Sequence, residues 1–310
     1  MKGIHHVTAI AGKPARNLAF YTRTLGLRFV KKTVNFDDPG SYHFYFGDET
    51  GSPGTILTFF PWQHAAPGRD GIGVAQITQF RVPEKSLAAW AQRLSDAGVQ
   101  HAAPSVRFGQ PVLVFADPDG MQLALVGIAG AEREPTWSGG AVAADAAIRG
   151  FHGVTLLLEA ATSTGAVLAG VLGFQQAARE GDCVRYQAQA GMGGVIDIRE
   201  APRLAAARLG RGSVHHIAFR ASDDREQAAM ARKLVANHNL HPTGQKDRQY
   251  FRSIYFREPG GVLFEIATDQ PGFAIDEPLA DLGKSLKLPP FLESRRHALE
   301  AALPSLEPLP

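Results

Sequence analysis

A histidine doublet occurs twice in this chain, as Gly3-Ile4-His5-His6-Val7-Thr8 and as Ser213-Val214-His215-His216-Ile217-Ala218. Imidazole nitrogens are good ligands for first-row divalent metals. The same doublet at the opening of two strand-like runs therefore suggests one metal held between two copies of a module. A third copy, Gly150-Phe151-His152-Gly153-Val154-Thr155, keeps the frame but has Gly153 where the first has His6. Ligands kept in some copies and lost in others point to one working site.

The elements that must carry these residues repeat four times, each as a strand-like opening, a helical pattern and further strand-like runs. In the first copy, Gly3 to Ala11 reads as a strand. Pro14 starts a helix with Leu18, Tyr21 and Leu25 on one face, stopped by Gly26, and strands follow near Arg28–Asn35, Tyr42–Phe46 and Thr55–Pro61. The second copy has a strand over Val74–Val82, a helix over Ser86–Ala97 and a hairpin at Asp117-Pro118-Asp119-Gly120. That acidic tetrapeptide reads as a tight turn rather than a calcium loop. The third runs from Arg149 through a helix ending at Val171-Leu172-Gly173 to a strand over Gly193–Glu200. The fourth has a strand over Val214–Ala221, a helix over Arg225–Asn237 and a hairpin around Pro259-Gly260-Gly261. A weakly patterned Gly/Ala stretch at 138–147 divides the chain into an N-terminal domain (1–147), a C-terminal domain (148–274) and an extension (275–310) with a helix near Leu292–Leu303.

Composition narrows the function classes. With 310 residues, 45% apolar content and a formal charge of +2, the chain reads as a two-domain globular protein. Acids and bases are well mixed, so no basic block suits a nucleic-acid backbone. Cys183 is the only cysteine, which excludes intrachain disulfides and thiolate zinc clusters. No apolar run is long enough to span a bilayer, and the N-terminus enters a strand without a signal-peptide core. A cytoplasmic location is the expectation, with no membrane or nucleic-acid partner. The extension leaves a homo-oligomer open.

Four βαβββ modules in an α+β chain resemble the vicinal oxygen chelate superfamily, in which paired modules curl their sheets around a metal cleft. Within it, the chain resembles the ring-cleaving dioxygenases that act on hydroquinones. The resemblance rests on Ile4-His5-His6-Val7-Thr8, on Tyr42-His43-Phe44-Tyr45-Phe46-Gly47-Asp48-Glu49, on Pro53 to Pro61, and on the segment from Asp247-Arg248 through Tyr255 to Glu265.

Modules of this shape offer one inward position on the first strand and one on the last. Superposing the first strands places His6, Ile77, Gly153 and His216 together. Superposing the last strands on their Pro-Gly turns places Phe59, Ala124, Ile198 and Glu265 together. The expected ligands are then His6, His216 and Glu265, and the second cleft should hold no metal. One set can form only if module 1 pairs with module 4 and module 2 with module 3. Two imidazoles and a carboxylate suit Fe(II), with Mn(II) a realistic substitute, and leave adjacent positions for an aromatic substrate and O2.

Other residues take expected roles around that set. His5 and His215 point away from the ligand face unless a bulge intervenes, and either sit behind the site or steady a ligand and move protons. Tyr255 and Glu265 lie symmetrically about Gly260, so the phenol should face the metal as a catalytic hydrogen bonder. Arg248 is a catalytic-site candidate through the resemblance alone. Thr8 and Phe59 are expected to line the substrate cleft. His43, His152 and the scattered histidines have no partner pattern and read as structural or surface residues. The expected activity is Fe(II)-dependent cleavage of a hydroquinone-type diol by O2. A catechol extradiol dioxygenase would use the same ligands. A glyoxalase-type isomerase or thiol transferase would need a second acid at the fourth position, where Phe59 is expected. A non-catalytic binding protein would have no need of a complete triad.

Overall fold

The computed structural model describes residues 3–306; the extreme ends of the expected N-terminal domain and C-terminal extension lie outside the described residues. Module 1 comprises β1 (Ile4–Ala11), α1 (Pro14–Ala19) continuing into a π turn over Phe20–Thr24, β2 (Arg28–Asn35), β3 (Asp38–Gly47) and β4 (Ile56–Pro61). Module 2 has β5 (Val74–Pro83), α2 (Leu87–Asp96), β6 (Ser105–Arg107), β7 (Gln110–Ala116) and β8 (Gln122–Ile128). Module 3 has β9 (Gly150–Leu158), α3 (Thr162–Gly170), β10 (Gln175–Glu180), β11 (Cys183–Gln187) and β12 (Val195–Glu200). Module 4 has β13 (Val214–Ala221), α4 (Asp224–His238), β14 (Lys246–Asp247), β15 (Arg252–Arg257) and β16 (Leu263–Thr268).

The strands form two eight-stranded sheets, ordered β14-β15-β16-β13-β1-β4-β3-β2 and β10-β11-β12-β9-β5-β8-β7-β6. Strands of modules 4 and 1 share the first sheet, and strands of modules 3 and 2 share the second. Each sheet thus draws on both halves of the sequence. At its centre two opening strands run antiparallel, β1 beside β13 and β5 beside β9. β1 is buried at all eight positions, as expected for a strand covered on both faces.

Two hairpin acids tie the sheets together. Asp117, in the tight turn of module 2, accepts a hydrogen bond of 3.0 Å from Tyr21 Oη in module 1. Glu258, at the matching hairpin of module 4, accepts one of 2.5 Å from Thr164 Oγ1 in module 3. Both carboxylates are buried, and both also cap backbone N–H groups of their own turns. No described helix is long and apolar enough to cross a membrane.

The C-terminal extension, which carries α5 (Arg296–Ala302), packs along module 1. The fully buried Lys31 ammonium pairs with Asp276 and Glu277, each at 2.6 Å. Tyr42 Oη donates to the Pro304 carbonyl at 3.1 Å, and Phe291 meets Phe36 edge-on at 6.1 Å.

Candidate active site

The two histidine doublets sit on the two strands at the centre of the first sheet, and both lie at β-bulges. Pairing shifts between Ile4↔Phe219 and His6↔Ala218, and again between Thr8↔His216 and Ala9↔Val214, leaving His5 and His215 as the extra residues. A bulge breaks strict side-chain alternation and re-aims the side chain beside it. Each doublet can therefore turn two neighbouring imidazoles toward each other. His5 Nδ1 lies 2.9 Å from His6 Nδ1, and His215 Nδ1 lies 2.8 Å from His216 Nδ1.

With both Nδ1 atoms engaged, the Nε2 atoms of His6 and His216 approach to 3.4 Å. The Glu265 Oε2 atom lies 2.9 Å from His216 Nε2 and 3.4 Å from His6 Nε2. All three ligand atoms fall within 4.8 Å of one another, and all three residues are buried. Ser253 Oγ donates to the other oxygen, Oε1. Oε2 is left buried without a hydrogen bond, since neither imidazole is aligned to supply one. An orphaned buried carboxylate oxygen facing two converging imidazole nitrogens is a costly arrangement. A divalent cation would satisfy all three atoms, so the residues present fit a metal.

The ionisation of the carboxylate agrees with that fit. Burial would raise the Glu265 pKa, but the facing His6 and His216 outweigh it and hold the carboxyl well below its ordinary range. Burial depresses His216 against the opposing pull of Glu265. Burial, with the neighbouring His6, pushes His5 well below its ordinary value, and burial with His216 takes His215 down to about 4. A metal needs its carboxylate ligand deprotonated, and that is the direction in which Glu265 is held. If His6 and His216 each donate an Nδ1 proton to the adjacent doublet partner, their Nε2 lone pairs are free for coordination.

His6 and His216 line a cleft of about 430 Å³. Tyr255 is the cross-strand partner of Glu265 and stands edge-on to His216, with ring centroids 5.7 Å apart. Burial and the Glu265 charge raise its pKa, so the phenol stays protonated at neutral pH. Arg248 Nε donates to Tyr255 Oη at 3.2 Å, and its other arm pairs with Asp37 at 2.9 Å. This joins module 4 to the β2–β3 turn of module 1. His215 lines the cleft, whereas His5 lies behind His6, packed on Phe251 with ring centroids 5.2 Å apart.

Four sequence readings need correction. Phe59 does not line the cleft: it is fully buried against Tyr21 and Phe46. The pairing register explains why. Glu265 lies beside Ala218, two residues beyond His216, whereas the residue beside Thr8, two beyond His6, is Thr58. Thr58 thus holds the fourth position. Thr8 also lies outside the cleft lining: its hydroxyl accepts from Thr58 Oγ1 at 2.8 Å, below His43.

The same register in the second sheet places Asp197 beside Thr155, and Ala124 beside Gln79. Asp197, rather than Ile198, therefore matches Glu265, so a carboxylate survives there. Its partner is the Arg185 guanidinium, bound through both oxygens at 2.7 and 2.8 Å. No imidazole could stand at 153, because a Cβ there would lie 2.1 Å from the Val195 carbonyl oxygen.

His43 is the fourth correction. It lines the cleft, with Nδ1 2.9 Å from Tyr45 Oη and Nε2 2.9 Å from Thr58 Oγ1. Burial, helped by His6 and His216, keeps its pKa well below the ordinary value. Strand alternation carried the signal: Tyr42, Phe44 and Phe46 turn to the core, so His43 and Tyr45 must turn to the opposite face. Ser253 was legible in the same way, two residues before Tyr255.

Comparison with known proteins bears on the family. Residues 3–125 match the model of the Glyoxalase/Bleomycin resistance protein/Dioxygenase superfamily. The chain is 46% identical to the Bacillus subtilis protein named "Putative ring-cleaving dioxygenase MhqO", over 97% of this chain and 95% of the relative. It is 34% identical to chlorohydroquinone/hydroquinone 1,2-dioxygenase of Sphingobium indicum, over 96% and 95% of the two chains. A crystal structure of a dioxygenase-like protein from Bacillus subtilis superposes with a TM-score of 0.93 at 46% identity, covering 98% and 97%. A mutant glyoxalase I from Zea mays shares the fold, with a TM-score of 0.67 at 15% identity over 87% and 93%. The chain belongs to the glyoxalase/bleomycin resistance protein/dioxygenase superfamily, the vicinal oxygen chelate proteins.

Proposed function

We propose that this protein is a metal-dependent ring-cleaving dioxygenase acting on a hydroquinone-type aromatic diol. The observation that carries this reading is the convergence of His6 Nε2, His216 Nε2 and the orphaned Glu265 Oε2 beside a largely aromatic cleft. The ring-cleaving relatives, matched along nearly the whole chain, support it. Bound Fe(II), or Mn(II) in its place, would lower the pKa of a substrate phenol and offer adjacent positions to the substrate and to O2.

The chain's own residues orient the substrate. Tyr255, held protonated, donates its O–H toward substrate oxygen beside the triad. Arg248 fixes that phenol and adds positive charge where the diol becomes anionic. His215 lines the cleft and accepts from His216 at Nδ1, so its neutral ring presents an Nε2–H donor toward a substrate oxygen. His5 holds His6 in orientation from behind. Thr58 offers no carboxylate to act as the base of an isomerase, which disfavours the glyoxalase-type reading.

The test is oxygen uptake by anaerobically iron-loaded protein, with hydroquinone and catechol supplied in parallel. Uptake with hydroquinone and formation of a ring-opened aldehyde product is the expected result. Faster uptake with catechol would move the assignment to a catechol extradiol enzyme, and no uptake with either would overturn it.

A further inference from the structure

The cleft is larger than a simple hydroquinone needs, and its walls differ in chemistry. A cavity of roughly 150 Å³ holds benzene, against about 430 Å³ here. Module 4 lines its side with Tyr255, Arg248 and His215, groups suited to a diol. Module 1 lines the other side with a run of rings. His43 meets Phe60 at 4.4 Å between centroids, and Phe60 stacks on Trp62 at 5.6 Å with planes 14° apart. Trp62 Nε1 donates to Ser41 Oγ at 3.2 Å, so the indole is held in place with its polar edge already satisfied. Phe36, braced from behind by Phe291 of the extension, adds another ring. Phe36, Phe60 and Trp62 are only half-buried and share the cleft lining. Preorganised apolar faces of this kind favour an apolar ligand group.

We infer that the substrate is a hydroquinone bearing an apolar substituent about the size of a second ring, which lies against Phe60 and Trp62 while the diol faces module 4. This rests on the ring-cleaving reading above and specifies its substrate class. Phe60 also sets the direction of the substituent, since its ring lies 5.7 Å from His215 and so links the triad region to Trp62.

Phenylhydroquinone and hydroquinone serve as probes for the iron-loaded enzyme. The expected kcat/KM ratio favours phenylhydroquinone by about tenfold or more, the scale of burying one aromatic ring. Trp62→Ala should bring that ratio down severalfold, and Trp62→Phe should largely retain it. Calorimetric titration under nitrogen gives a second readout, in which phenylhydroquinone should bind at least about tenfold tighter. Oxygen uptake with equal kcat/KM for the two diols would overturn the inference and leave the ring-cleaving reading intact. Absence of uptake with either would overturn that reading, and calorimetry would still decide the inference: equal affinities sink it, and tighter phenylhydroquinone binding that weakens in Trp62→Ala upholds it.

Discussion

Asp197 holds in the second sheet the register position that Glu265 holds in the first, yet it faces a guanidinium where Glu265 faces two imidazoles. The duplicated cleft has kept its acid and supplied a covalently attached cation. Arg185 and Asp197 are both nearly inaccessible to solvent. Arg185→Ala should therefore destabilise the fold by about 3–5 kcal/mol, because it strands a buried carboxylate. Replacing both residues together by apolar ones of similar size should recover most of that loss. Denaturant unfolding of the single and double variants checks this, and equal stability of Arg185→Ala and the parent would refute it.

The doublet bulges separate ligands from the residues that orient them. Glu265→Ala should abolish stoichiometric metal binding, since a three-ligand site has no ligand to spare. His5→Ala leaves all three ligands and takes away only the partner of His6 Nδ1. It should weaken metal affinity about 10–100-fold. Competition with a chelator distinguishes the two, and unchanged affinity in His5→Ala would remove its orienting role.

Tyr255→Phe deletes one hydroxyl opposite Glu265 and leaves the ligands in place. We expect full metal content with turnover lowered roughly ten- to a thousandfold. Metal analysis beside single-turnover kinetics checks this, and parental turnover would confine Tyr255 to packing.

The burial of Asp117 predicts a pH dependence of stability. Burial, opposed by backbone hydrogen bonds from Met121 and Asp119, raises Asp117 from 3.8 to about 6. A carboxyl with a raised folded-state pKa binds its proton more tightly when folded. Its contribution is therefore greatest below pH 3.8 and is lost as pH rises through about 6. Asp117→Asn should be more stable than the parent at pH 8, by at most about 3 kcal/mol, with the gap closing toward pH 4. Thermal unfolding across that range checks the trend, and a gap that widens on acidification would contradict it.

Much of the site was legible in the chain itself. Histidine doublets at matching points of a repeat named His6 and His216, because a repeated local pattern marks equivalent places without knowledge of distance. Symmetry about Gly260 identified Tyr255 and Glu265 as neighbours, because a hairpin's register follows from its turn. His43 stood in a plainly alternating strand, and its meaning depended on which face of that strand met the cleft.

Tertiary structure alone decided the rest. A one-residue slip in register exchanges the two faces of a strand. β4 is buried on both faces over Ile56–Phe59, so its apolar pattern could not choose between Thr58 and Phe59. Its parallel partnership with β1 made the choice. Asp197 escaped notice for the same reason, on a strand buried on both faces over Val195–Ile198. The bulges at His5 and His215 arise from the pairing of two strands 210 residues apart, and no spacing within one strand encodes them. Sequence marked most of the candidate residues; strand pairing determined which way each of them points.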